Sequence, residues 1–68
     1  MFILKWTNKF SGETGYVQSI SAKESHFNNT FEAGDAKRYK TEKSANQAIK
    51  TLSKYGECDN NNFEVCPA

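Results

Sequence analysis

Residues Tyr39 to Gly56 read Y-K-T-E-K-S-A-N-Q-A-I-K-T-L-S-K-Y-G, and the rest of the chain has to be arranged around them. Ala45, Ala48, Ile49, Leu52 and Tyr55 fall at i, i+3, i+4, i+7 and i+10, the spacing of one face of an α-helix. Thr41 offers an N-cap hydroxyl, and Glu42 puts a negative charge in the first turn, where the helix dipole favours it. Lys54 falls in the last turn, and Gly56 beyond it is expected to close the helix as a left-handed C′ glycine. A solitary amphipathic helix cannot bury its own apolar stripe, so the flanking segments must supply a surface for it.

On the N-terminal side, Phe2, Leu4 and Trp6 alternate with Ile3, Lys5 and Thr7, which predicts a strand over residues 2–7 with its aromatic face toward the helix. The segment N-K-F-S-G-E-T, residues 8–14, is a hairpin loop with positive φ expected at Gly12 and Phe10 either folded back or exposed. Gly15 to Ser21 forms a second, antiparallel strand. Strict alternation there puts Tyr16, Gln18 and Ile20 on one face and Val17 on the other. Residues 22–26 are a polar connection. Phe27, Asn29 and Phe31 then alternate with Asn28, Thr30 and Glu32 in a weaker third strand. Gly34-Asp35 marks a turn, and residues 36–40 lead into the helix. After Gly56, E-C-D-N-N-N reads as a loop, and Phe63 and Val65 alternate with Glu64 and Cys66 in a last strand ended by Pro67.

No repeat or linker interrupts this pattern, so residues 1–68 make a single domain. The order β-β-β-α-β predicts an α+β two-layer fold: an antiparallel sheet of three to four strands with one α-helix packed on one face. The last strand is expected to pair with an edge of the first three.

A chain of 68 residues has a thin core. With 37% hydrophobic and 13% aromatic residues, that core is built from a few large rings, and disorder is disfavoured. The net charge of +1 excludes a polyelectrolyte tail but leaves room for a local basic patch. The N-terminal M-F-I-L-K-W lacks the basic lead and long apolar run of a signal peptide or membrane span, so a cytoplasmic protein without membrane partners is expected. In that compartment Cys58 and Cys66 stay thiols, a small disulfide between them being the alternative. Their spacing and the single histidine make a poor zinc site, so no metal or cofactor is expected. The sequon Asn28-Asn29-Thr30 means nothing without secretion.

Catalytic signals are missing. His26 has Glu24 and Ser25 beside it, but adjacent residues rarely converge on one substrate atom. Glu57, Asp59 and Asn60 to Asn62 carry oxygen ligands without the spacing or glycine of a calcium loop, and a solvated loop explains them better. The four glycines form no phosphate-binding motif. The chain is therefore expected not to be an enzyme.

Two surface features rise above this background. Lys43, Gln47, Lys50 and Lys54 lie at i, i+4, i+7 and i+11, opposite the apolar stripe, and Lys37, Arg38 and Lys40 precede them. Such a face suits contacts with nucleic-acid phosphates. Solubilising a surface helix explains it better, because a strong nucleic-acid binder usually carries a larger excess of charge. The helix opening Y-K-T-E-K-S-A-N-Q-A-I after three strands resembles the arm-type DNA-binding domain of phage integrases, which implies a sheet laid on DNA. That resemblance covers about residues 36–52, without the family's Gly-Phe lead-in and with an additional C-terminal strand. The same helix is similar to the last helix of double-stranded-RNA-binding domains, implying lysine–phosphate contacts at its start, although that family's first helix has no counterpart here.

The second feature is the aromatics. Trp6, Phe10, Tyr16, Phe27, Phe31, Tyr39, Tyr55 and Phe63 are more rings than one helix can cover. Exposed rings anchor protein interfaces or stack on single-stranded bases. Phe10, Tyr16 and Phe27 are the candidate partner-binding residues. The combined reading is a small non-catalytic binding protein, in the style of a phage or mobile-element accessory protein, that occupies a partner protein's surface. The alternatives are a nucleic-acid-binding module using Lys37, Arg38, Lys40, Lys43, Lys50 and Lys54, or a homodimer of structural role joined through a sheet edge or the uncovered face.

Overall fold

The computed structural model describes residues 1–56 and 59–68. Four strands, β1 (Phe2–Asn8), β2 (Thr14–Ser21), β3 (His26–Thr30) and β4 (Asn61–Pro67), form one antiparallel sheet in the order β3-β2-β1-β4. A 3₁₀ turn (Ala33–Asp35) and the helix α1 (Glu42–Ser53) separate β3 from β4. This is the expected β-β-β-α-β two-layer fold, with the last strand on the outer edge of β1.

The helix starts as its sequence dictates. Thr41 is extended, and its Oγ1 accepts a 3.1 Å hydrogen bond from the Ser44 N–H, satisfying one of the donors a helix start leaves open. It ends differently. Lys54 and Tyr55 donate to the carbonyls three residues back, Thr51 at 3.1 Å and Leu52 at 3.0 Å, so the last turn tightens into 3₁₀ geometry. Among the described residues Gly12 is the one glycine with positive φ, at 75°. The expected left-handed cap at Gly56 is therefore corrected, because the tightened turn already uses the carbonyls such a cap would serve.

The helix lies over β1 and β4. Leu4, Val17, Ala45 and Leu52 are fully buried, Trp6 and Phe27 nearly so, and Ile49, Tyr55, Phe63 and Val65 close the edges of this core. Leu4 and Trp6 face the helix as the period of two requires. The Trp6 indole lies flat across Gly15, where a Cβ would come within 2.6 Å of the ring, and its Nε1 donates to the Tyr16 carbonyl at 3.2 Å. Only glycine leaves room for that ring.

Strand β2 departs from strict alternation. Val17 pairs with Asn29 but Ser19 with Asn28, so Gln18 is an extra residue that shifts the register. This bulge brings Ile20 round to pack against the core beside Val17, correcting the expectation that Ile20 and Val17 face opposite ways. Strand β3 ends at Thr30, two residues earlier than the alternation through Glu32 suggests, leaving Phe31 outside it. Strand β4 starts at Asn61, because Asn61 and Asn62, expected in a loop, pair with Asn8 and Thr7.

Two devices curve the sheet. Strands β1 and β2 pair only from Lys5↔Tyr16 to Thr7↔Thr14. Beyond that they part, and the chain leading into the helix lies between them. Lys37 donates to the Val17 carbonyl at 3.0 Å, while Phe2 and Tyr39 exchange two hydrogen bonds of 2.8 Å. At the same time Phe27 on β3 meets Phe63 on β4 edge-on, their ring centroids 5.4 Å apart. Three strand spacings would separate those edge strands by about 14 Å in a flat sheet, so the sheet must curl around its helix-facing side.

Cys66 is a free, half-buried thiol. Glu57 and Cys58, and with them the weighed disulfide and part of the acidic loop, lie outside the described residues. Among the described residues no helix is long and apolar enough to cross a membrane.

Candidate functional site

The hairpin tip between β1 and β2 is built by Asn8. Its Oδ1 accepts hydrogen bonds from the backbone N–H of Phe10 and of Ser11, both at 2.9 Å, an arrangement for which asparagine is favoured in turns. The Asn8 N–H donates to the Glu13 carbonyl at 2.7 Å, and the Gly12 N–H returns to the Asn8 carbonyl at 3.0 Å. Lys9 donates to the Asn60 carbonyl at 2.9 Å, tying the tip to the chain entering β4. Gly12 has the left-handed conformation that closes the loop. The backbone is thus held on three sides, and it presents the Phe10 ring 83% exposed. Of the two possibilities the sequence left for Phe10, the exposed one is observed.

Phe31 is 62% exposed and rests edge-on against Trp6, with a centroid distance of 6.1 Å. It is one of the eight rings that outnumber what a single helix can cover, although it is not among the three named as partner anchors. Tyr16 is half-buried on the face away from the helix, paired with Lys5. Phe27, a candidate anchor, is instead 7% exposed in the core. The bulge at Gln18 and the curl of the sheet turn it inward, where its ring is packed against Phe63 and unavailable to a partner.

The basic residues do not form one surface. Lys43, Gln47, Lys50 and Lys54 are exposed on the outer side of α1, as their spacing predicts, and Lys37 and Lys40 are exposed beside the helix start. The Lys37 ammonium sits 5.5 Å from the centre of the Tyr39 ring, within cation–π range. Arg38, however, lines a groove on the opposite face of the sheet. The segment that carries it is extended and hydrogen-bonded to β1 and β2, so successive side chains point to opposite sides. Grouping Lys37, Arg38 and Lys40 with the helical lysines as one basic cluster overlooks the period of two in an extended lead-in segment, which sends Arg38 away from its neighbours.

That groove has a volume of about 370 Å³. Ile3, Lys5 and Tyr16 form its floor, Ala33, Gly34 and Arg38 one wall, and Cys66, Pro67 and Ala68 the other. Ile3 is only 4% exposed although no helix covers this side of the sheet. Lys5 pairs loosely with Glu64, Nζ to Oε1 3.9 Å, both side chains being in contact with water. A second hollow, of about 310 Å³, lies between the end of α1 and the start of β4, and it is lined mainly by polar groups including Lys9, Asp59 and Asn62.

Burial pushes the Tyr39 phenol above its ordinary value of 10.0, and its hydroxyl has no hydrogen-bond partner among the described residues. Such a group stays protonated at neutral pH. The His26 ring lies tilted against Phe27 at 5.6 Å, at the exposed start of β3. Among the described residues no three His, Cys, Asp or Glu side chains cluster closely enough to hold a metal ion.

No family model matches the chain, and neither a curated protein nor a solved structure matches it. The likeness to integrase arm domains and double-stranded-RNA-binding domains therefore rests on the helix sequence and element order alone.

Proposed function

We propose that this protein is a non-catalytic binding module that works by occupying the surface of a partner protein, with Phe10 as its anchor. The observation that carries this reading is a phenylalanine 83% exposed on a backbone fixed by the Asn8 side chain. Exposing a large ring costs nothing by itself. Holding its backbone in one geometry, however, removes the ordering entropy that a partner would otherwise have to overcome, which is how interface anchors act. Phe31, on Trp6, adds a second exposed ring. The accessory-protein character suggested by the sequence is compatible with this mode and adds nothing to it. Nucleic-acid binding through Lys43, Lys50 and Lys54 is the second reading. It is weakened by the removal of Arg38 to the other face, which leaves the helix with a sparser positive stripe.

The test is affinity capture in parallel with wild-type protein, Phe10→Ser and the double variant Lys43→Glu/Lys50→Glu. A protein partner held by the wild type and the lysine variant but lost with Phe10→Ser supports the proposal. A nuclease-sensitive complex lost only with the lysine variant would replace it with the nucleic-acid reading.

A further inference from the structure

The geometry points to the groove on the helix-free face as the seat of an acidic segment of the partner protein, a carboxylate side chain flanked by an apolar or aromatic residue. This inference rests on the partner-binding reading above and adds the partner's chemistry to it.

Charge complementarity comes first. Among the described residues the charged side chains lining the groove are Lys5 and Arg38, and no carboxylate side chain lines it. Glu64 reaches Lys5 only at 3.9 Å across solvated surface, and an ion pair of that kind is weak enough to be displaced or shared. Arg38 brings a planar fork of donors that fits a carboxylate with two parallel hydrogen bonds. Its backbone position is set by the sheet, because Lys37 and Tyr39 on either side of it are bonded to Val17 and Phe2. The cation is thus mounted on a rigid element.

The apolar part of the groove selects what accompanies the charge. Ile3 and Tyr16 make the floor, and Ala33 and Pro67 stand on opposite walls. An apolar side chain next to the carboxylate would be removed from water there, while a bare inorganic anion would leave that surface wet. The rim residues Ala33, Gly34, Arg38, Pro67 and Ala68 are all exposed. A groove of about 370 Å³ with so open a rim takes one or two side chains of an extended chain. Sites for free small molecules enclose most of the ligand's surface instead.

The experiment is an NMR titration of the whole isotope-labelled chain with acetyl-Phe-Glu-Glu-Phe-amide and with its neutral counterpart acetyl-Phe-Gln-Gln-Phe-amide. Saturable shifts are expected at the amides of Ile3, Lys5, Tyr16 and Arg38, weakening as salt is raised. The glutamine peptide, and the acidic peptide on Arg38→Ala protein, should bind about fivefold more weakly, the effect of one partly exposed charge pair. Equal shifts from the two peptides, shifts indifferent to Arg38→Ala, or shifts confined to the hairpin tip would each overturn the assignment. The titration on Phe10→Ser protein separates this inference from the one beneath it, since the groove should be unaffected there. A partner captured equally by wild-type and Arg38→Ala protein overturns the groove and leaves the Phe10 anchor standing.

Discussion

The two faces of the sheet solve the problem of a small core in opposite ways. On one, α1 covers β1 and β4, and Leu4, Trp6 and Val17 disappear beneath it. On the other no element is layered, yet Ile3 is as deeply buried as Trp6, because the turn after β3 and the end of β4 close in from the sides. The covered face derives stability from a continuous apolar layer. The open face keeps only enough wall to shelter one isoleucine, and it leaves cations and an aromatic ring at the surface. Stability and the capacity to bind are thus assigned to different sides of a single sheet.

Substitutions can break that division, beginning with the largest effect. Leu52→Ala, fully buried under the helix, should lose about 2–5 kcal/mol in denaturant unfolding. Arg38→Ala on the open face should stay within about 0.5 kcal/mol of wild type. Comparable losses from the two would abolish the distinction. Gly15→Ala forces a methyl into the Trp6 ring and should cost about 1–3 kcal/mol, with altered near-ultraviolet dichroism of the single tryptophan. Thr41→Ala removes the helix cap and should cost about 1 kcal/mol, sharpening how much of the covered face depends on the helix start.

The smallest effect is a pH dependence. Burial raises the Tyr39 pKa, so the folded state holds the phenolic proton more tightly than the unfolded chain, whose value is 10.0. The stability this contributes is fully present below pH 10.0 and is lost as pH rises through the folded-state value. Tyr39→Phe should remove that alkaline loss in a series of melts, and it should cost nothing at neutral pH because the hydroxyl has no partner among the described residues.

The covered face was legible in the sequence, and the open one largely was not. Ala45 and Leu52 on a helical period, and Leu4 and Trp6 on a strand period, announce their burial locally, as Thr41 announces the cap. That β4 joins an edge of the first three strands followed from the order of elements, but that the edge is β1 did not. What escaped depends on contacts distant in sequence. Gln18 is an extra residue only in its pairing with β3, and that shift reverses Ile20. Phe27 is buried by Phe63, which lies 5.4 Å away across the sheet, so no local pattern could distinguish it from Phe31. Arg38 is separated from Lys37 by the alternation of an extended segment wedged between β1 and β2, a placement that exists only once the sheet has formed. Phe10 was visible as an aromatic in a loop, but its exposure depends on Asn8 holding the tip out from the sheet.

That last point is the premise on which the function rests, and backbone NMR relaxation of residues 9–12 tests it most directly. A tip held by the Asn8 side chain should show order parameters near those of the strands, about 0.85. Values below about 0.6 would describe a loop that samples many conformations. They would contradict the picture of Phe10 as a ring presented in advance to its partner.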